Sequence, residues 1–165
     1  MNVQRIARIL QDKEQVVRET VLDTATKKGQ ILYGSRAYNI QSPSYLKKKT
    51  TDYDILTKRP KKSAQEVAEA LRRRLGKDVQ VVKGTHKGTY KIKVNGETVA
   101  DYTQLKGKYK TKKVWGIEAR DIKSIKRNAL RLSRKKGLEY RKEKDLDTLQ
   151  KIQEIERLDK IFNSI

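Results

Sequence analysis

Three aspartates offer the most specific chemistry in this sequence. Asp52 and Asp54 lie one residue apart in Thr51-Asp52-Tyr53-Asp54-Ile55-Leu56, after a Gly34-Ser35 pair, and Asp101 stands alone in Val99-Ala100-Asp101-Tyr102. Side chains alternate along a β-strand, so the spacing predicts Asp52 and Asp54 on one face with Tyr53 and Ile55 on the other. Two carboxylates on one face, joined by a third from a neighbouring strand, suit a pair of hard divalent cations about 3.5 to 4 Å apart. That is equipment for phosphoryl or nucleotidyl transfer.

Composition removes several other chemistries. The chain has no cysteine, which excludes disulfides, zinc-thiolate sites and thiol nucleophiles, and its one histidine, His86, excludes a histidine-rich metal centre. His86 reads as an ordinary loop residue. The opening residues lack the apolar core of a signal peptide and no apolar run is long enough to span a bilayer, so the expectation is a soluble, intracellular, cytoplasmic protein with no membrane partner. At 165 residues the chain reads as one compact unit, and the sequence leaves its oligomeric state open.

Charge points to a polyanionic partner. The net charge is +21, from 41 Lys and Arg against 20 Asp and Glu, and residues 31–145 carry nearly all of the excess. Heat-adapted proteins are also rich in lysine but usually balance it with glutamate, whereas here cations outnumber anions two to one. Self-repulsion of this size favours a nucleic-acid partner.

The elements that must position the aspartates can be read from periodicity. Apolar residues from Val3 to Ala25 recur at helical spacing and stop at Lys27-Lys28-Gly29, which predicts one or two opening helices. Ile31-Leu32-Tyr33 reads as a buried strand ending at Gly34-Ser35, followed by a loop containing Pro43 and the run Lys47-Lys48-Lys49. Residues 51–58 form the next strand, and residues 63–75 a helix that Ser63 and Glu66 would open as a capping box. Strands follow at 79–83, 89–94 and 97–105, with Asn95-Gly96 as a two-residue hairpin turn. Residues 106–113 read as a basic loop, 118–136 as a helix broken by Gly137, and 138–162 as a second helical run. The predicted class is α+β, with a mixed sheet covered on one side by helices.

These motifs, in this order, resemble the polymerase-β-like nucleotidyltransferase superfamily. Ile31-Leu32-Tyr33-Gly34-Ser35, then Asp52-Tyr53-Asp54-Ile55, then Val99-Ala100-Asp101-Tyr102 match its strand with a Gly-Ser end, its Asp-x-Asp strand and its later third acid. Tyr33-Gly34-Ser35-Arg36-Ala37 and Lys49-Thr50-Thr51-Asp52 are also similar to small nucleotidyltransferases of large DNA viruses and phages. The resemblance implies a minimal nucleotidyltransferase core with a mixed β-sheet backed by helices, plus a C-terminal helical segment. The expected division is 1–28 N-terminal helical, 29–114 catalytic and 115–165 C-terminal helical, and a viral origin would put the protein in the host cytoplasm.

The resemblance also implies roles. Asp52 and Asp54 would ligate two Mg²⁺ ions, with Mn²⁺ as a substitute, and Asp101 one of them near the acceptor hydroxyl. Gly34 and Ser35, with Arg36 beside them, would bind the triphosphate of an NTP or dNTP. The stretch from Ser35 to Asp52 is longer than the superfamily usually shows, and its Arg36, Tyr45 and lysines would meet either the triphosphate or an acceptor strand.

A nucleic-acid acceptor, DNA or RNA, would find further contacts. Arg120, Lys123, Arg127, Arg131 and Arg134 fall at helical spacing, three or four apart, and predict one cationic stripe beside Lys47, Lys48 and Lys49. Tyr38, Tyr45 and Tyr109 are the better base-stacking candidates among eight tyrosines. Arg141, Lys144, Asp145 and Asp147 read either as a second polar site or as ion pairs on a helix surface. The function expected is metal-dependent transfer of a nucleoside monophosphate to an acceptor, most simply a nucleic-acid 3′ end. Two alternatives stand beside it: a toxin-type or modifying nucleotidyltransferase acting on tRNA or protein, and an inactive nucleic-acid-binding protein.

Overall fold

The computed structural model describes residues 2–76 and 78–164. In chain order it contains α1 (Val3–Lys28), β1 (Ile31–Tyr33), α2 (Gly34–Asn39), β2 (Tyr53–Thr57), α3 (Pro60–Leu75), β3 (Val79–Lys83), β4 (Thr89–Val94), β5 (Glu97–Gln104), β6 (Thr111–Val114), β7 (Ile117–Arg120), α4 (Ile122–Ser133) and α5 (Lys142–Asn163). The fold is α+β, as expected. Seven strands form one mixed sheet in the order β3-β4-β5-β2-β1-β7-β6, with β1 parallel to β7, β2 parallel to β5 and the other pairs antiparallel.

One face of the sheet makes the core. Leu32, Tyr53, Ile55, Ile92, Ala100 and Tyr102 point to that face and pack with Val17, Val21 and Ala25 of α1 and Ala64, Val67, Ala68 and Leu71 of α3. Gly29 ends α1 in the left-handed conformation, returning its N–H to Ala25 and Thr26, and Gly76 ends α3 in the same way. A second, smaller cluster of Tyr38, Ile152 and Ile155, with Leu46, Ile122 and Ile125 against it, docks α5 and α4 beside α2. Among the described residues, no helix is long and apolar enough to cross a membrane.

Local structure departs from the sequence reading at three places. α3 begins at Pro60, a residue suited to the first helical turn, so Ser63 lies inside the helix and is no cap. Ser63 is buried and accepts a hydrogen bond from Gln30 Nε2 at 3.0 Å, while Glu66 pairs with Lys28. The stretch after Ser35 is not all loop: α2 occupies its first part and a 3₁₀ turn at Ser44–Leu46 its middle.

The largest correction lies between 106 and 120. This segment forms the β6–β7 hairpin, turned by Trp115 and Gly116 at φ 50° and 80°, so the helix begins only at Ile122. Ile117 and Ala119 are buried and Glu118 and Arg120 half-buried, a period-two pattern too short to stand out from the helix that follows it. Because β7 pairs with β1, the sheet runs past residue 114.

Candidate active site

The register places four chemically distinct side chains in one row across adjacent strands. Lys91 on β4 pairs with Asp101 on β5, Asp101 with Asp54 on β2, and Asp54 with Tyr33 on β1. All four belong to the face opposite the core, because Tyr53, Ile55, Ala100 and Tyr102 alternate with them inward. Asp52 immediately precedes β2, and its carboxylate joins the row from the strand's end. One ligand oxygen from each of Asp52, Asp54 and Asp101 lies within 4.8 Å of the others, and among the described residues no other acid or histidine cluster of this kind occurs.

Gly34 makes this approach feasible. It sits where β1 ends and α2 begins, at φ +67°, and a Cβ there would lie 2.3 Å from Asp54 Oδ2. Backbone conformation and space therefore both require glycine, and the residue's first structural effect is to leave room for the Asp54 carboxylate. Arg36 fixes the other side. Its Nε donates to the Asp52 carbonyl at 3.2 Å and its Nη2 to the Thr50 carbonyl at 3.3 Å, while the guanidinium lies 4.2 Å from the Tyr53 ring centre. Arg36 thus braces the backbone that carries Asp52 and is not among the residues lining the cleft described below.

The three carboxylates act unfavourably on one another. Burial, then the neighbouring charges of Asp52 and Asp101, push the Asp54 carboxyl up to about 7. Asp101 is relieved by Lys91, whose Nζ donates to its two oxygens at 3.1 and 3.0 Å. Burial also raises the Tyr33 phenol to about 12, so it stays protonated and shares a hydrogen bond of 3.0 Å with Thr103 Oγ1. The donor set fits hard divalent cations: three carboxylate oxygens, with Asp54 receiving no hydrogen bond among the described residues.

The triad opens into a cleft of about 790 Å³. Ser35, Lys47, Lys48, Lys49, Thr50 and Thr51 line it from the long connection, and Lys144, Asp147 and Lys151 from α5. Lys48 is half-buried: its Nζ donates to Thr148 Oγ1, its backbone exchanges hydrogen bonds of 2.8 Å with the Asn39 side chain, and burial lowers it to about 8. Sequence reasoning set Lys144 and Asp147 aside as ambiguous and missed Lys151. The only signal was their i, i+3, i+7 spacing on a helix whose partner was unknown.

The cationic stripe is not one element. Arg120 belongs to β7, Arg134 caps the end of α4, and only Lys123, Arg127 and Arg131 share the helix, exposed. Arg120 follows Ala119, the partner of Leu32, and so continues the row beyond Tyr33 on the same face. Its guanidinium lies 5.2 Å from the Tyr109 ring centre. Burial, then the nearby charges of Arg131 and Arg127, lower its pKa. None of these cations lines the cleft. Tyr38 is 1% exposed and packs in the second cluster, so base stacking is closed to it, whereas Tyr45 is exposed.

A mixed sheet with an Asp-x-Asp strand paired to a third acid, beside a Gly-Ser turn, defines a polymerase-β-like nucleotidyltransferase fold. Residues 19–139 match the poly(A) polymerase catalytic subunit family, and the chain belongs to that family. No curated protein shows a sequence match to it. The polyadenylate synthase of Megavirus has a similar structure, with a TM-score of 0.75 and 25% identity over 86% of this chain. The match spans 31% of the Megavirus protein's length. JHP933 from Helicobacter pylori shares the fold alone, with a TM-score of 0.58 and 15% identity over 86% of this chain and 64% of its own.

Two outcomes follow from the packing of Asp54. Its carboxyl is raised above its ordinary 3.8, so the folded state holds a proton that the unfolded state has released, and stability falls as pH rises from about 4 to 7. Asp54→Asn removes that penalty. In chelator it is expected to unfold at higher urea than wild type above pH 7, by no more than about 4 kcal/mol, with the difference vanishing near pH 4. Equal stability at pH 8 would contradict this. Gly34→Ala is expected to destabilise by about 2 kcal/mol or more, from a left-handed residue and the clash with Asp54. Combined with Asp54→Ala, part of that loss should return in a double-mutant cycle; strict additivity would mean that the two residues do not press on each other.

Proposed function

We propose that the chain transfers a nucleoside monophosphate from a nucleoside triphosphate to the 3′ hydroxyl of an RNA strand. The observation that carries this reading is the convergence of Asp52, Asp54 and Asp101 on the open face, within 4.8 Å of one another and beside a cleft rimmed with lysines. The family match and the polyadenylate synthase similarity favour a ribonucleotide and an RNA acceptor over their deoxy counterparts.

In this reaction the acceptor oxygen bonds to the α-phosphorus as the bond to the pyrophosphate leaving group breaks. Little covalent help is needed, so positioning and charge neutralisation do the work. Two Mg²⁺ ions, or Mn²⁺ in their place, would be held by Asp52 and Asp54 together and by Asp101 on one ion, and would supply Lewis-acid activation and charge neutralisation. Ser35 lines the cleft directly after the Gly34 turn and would offer its hydroxyl and backbone to phosphate oxygens. Arg36 contributes by holding Asp52, not by direct contact with the nucleotide. Lys47 and Lys49 offer phosphate contacts at the rim, and Arg120, Lys123, Arg127, Arg131 and Arg134 lead an acceptor backbone over Tyr33 toward the triad.

Incubation with labelled ATP, GTP, CTP, UTP or dATP, Mg²⁺ or Mn²⁺, and single-stranded RNA, DNA or tRNA tests the reading. RNA is expected to lengthen, with Asp52→Asn and Asp54→Asn each slower by more than about 100-fold, beyond what loss of a supporting group does. Label found only on protein or tRNA would favour a modifying enzyme, and RNA binding without transfer an inactive binder. Replacing Arg127 and Arg131 with glutamate should weaken RNA binding. It should also flatten the dependence of log K on log salt by about 1.4, the contribution of two single-strand phosphates. An unchanged slope would remove α4 from the acceptor path.

A further inference from the structure

Two hairpins of the sheet close with two-residue turns of the same kind and fill them differently. Asn95-Gly96 joins β4 to β5 at φ 50° and 82°, and Trp115-Gly116 joins β6 to β7 at φ 50° and 80°. Positive φ at both central residues marks a type I′ turn, which asparagine enters readily and a bulky side chain does not. Packing does not offset this for Trp115, because the residue is 80% exposed. Folding alone therefore gives no reason for tryptophan at this tip, and an indole held in water on an unfavoured backbone calls for another account.

The surroundings of the ring supply one. Lys106, Lys108, Lys110, Lys112 and Lys113 are all exposed, and the sequence has no acid between Asp101 and Glu118. Lys113 meets Glu118 at 3.8 Å, and the other four make no ion pair among the described residues. β6 is the edge of the sheet, where charged side chains discourage another strand from adding. A second protein strand is thus disfavoured, whereas single-stranded nucleic acid matches both parts of the tip, with phosphates for the ammonium groups and bases for the indole. The tip also continues the open face that leads to the triad: Lys113 pairs with Glu118, two residues before Arg120, which extends the row past Tyr33. Trp115 stands five residues before Arg120, about 16 Å along the strand. A strand whose 3′ end reaches the triad over Tyr33 and Arg120 therefore has its upstream bases within reach of the tip.

We propose that Trp115 is a base-stacking site for the upstream part of a single-stranded RNA acceptor, with Lys110, Lys112 and Lys113 meeting the phosphates around the stacked base. This rests on the reading of RNA as the acceptor. The site lies at the opposite end of β7 from the carboxylates, so its binding can be measured apart from transfer.

Trp115 is the only tryptophan of the chain, so its fluorescence reports on this site alone. The wild-type chain is titrated with a single-stranded RNA oligonucleotide, with an abasic phosphodiester strand of equal length, and with vesicles rich in phosphatidylserine. RNA is expected to quench the fluorescence, and the abasic strand to bind without comparable quenching. Anisotropy of labelled RNA then compares wild type, W115F and W115N as full chains. W115N is expected to bind about tenfold more weakly, and W115F to keep most of the affinity. The dependence of log K on log salt should not change in either variant, since no phosphate contact is removed. W115N should unfold at a urea concentration no lower than wild type, because asparagine suits the turn, which separates lost binding from lost folding. Equal quenching by the abasic strand, or unchanged RNA affinity in W115N, would overturn the proposal. So would a fluorescence change with vesicles and none with RNA, which would assign the tip to an anionic membrane surface. Quenching by RNA and weaker binding by W115N in a protein that extends no primer would sustain the stacking site and remove the nucleotidyl-transfer reading.

Discussion

Three carboxylates held within 4.8 Å repel one another, and the structure answers to that constraint before any other. Left alone, a loop bearing Asp52 would swing away and Asp54 would turn toward water. Each escape is blocked by an identifiable contact. Arg36 grips the backbone at Thr50 and Asp52, the parallel pairing of β2 with β5 puts Asp54 directly beside Asp101, and Gly34 lets β1 pass the Asp54 carboxylate without a side chain between them. Burial, and after it the repulsion that remains, raises the Asp54 pKa. A fold that holds such an arrangement against its own electrostatics needs a rigid base, which Ile55, Ala100 and Tyr102 provide on the reverse face of the same strands.

How much of this was legible in the sequence depends on whether the information was local. The alternation of Asp54 with Tyr53 and Ile55 is a two-residue pattern, and it predicted the buried and open faces of β2 correctly. The hairpin at Asn95-Gly96 was equally local, since both residues take positive φ there. The β6–β7 hairpin was not legible, because Trp115 is an unusual residue for φ 50° and the strands are four residues each. That one miss bent the reading of the basic residues. Five cations looked like one helical stripe, whereas Arg120 belongs to a strand, Lys123, Arg127 and Arg131 to α4, and Arg134 to its cap. The part played by α5 was hidden for another reason. Whether Lys144 and Lys151 face solvent or a cleft depends on Tyr38 and Ile152, more than a hundred residues apart in sequence, meeting in the second cluster.

The position of the long connection between Ser35 and Asp52 now has a physical account. Its first part is the helix that starts from the Gly34 turn, and its last part returns to β2 as the lysine-lined edge of the cleft. Between them Tyr38 donates to the Leu46 carbonyl at 2.9 Å and Asn39 clasps Lys48, so the segment is tied to α2 by its own hydrogen bonds. Its extra length joins the sheet to α5: one end is in the core through Ala37, and the other reaches Thr148 through Lys48. The cleft therefore has two walls that different clusters stabilise, with this segment as the bridge between them.

Lys91 shows why the triad can bear its charge without losing its capacity for ligands. A carboxylate offers about four lone-pair directions, and the ammonium group engages one on each Asp101 oxygen, leaving the others free toward Asp54. The ammonium approaches from β4, on the side of Asp101 away from β2, so an incoming cation between Asp54 and Asp101 does not have to displace it. Its charge also acts on Asp54 in the stabilising direction, though more weakly than the two aspartates act against it. The row Lys91–Asp101–Asp54–Tyr33 thus alternates a cation, two anions and a neutral phenol, and the two anions in its middle are left with an unmet demand for positive charge that a lysine on an adjacent strand is too far to one side to satisfy.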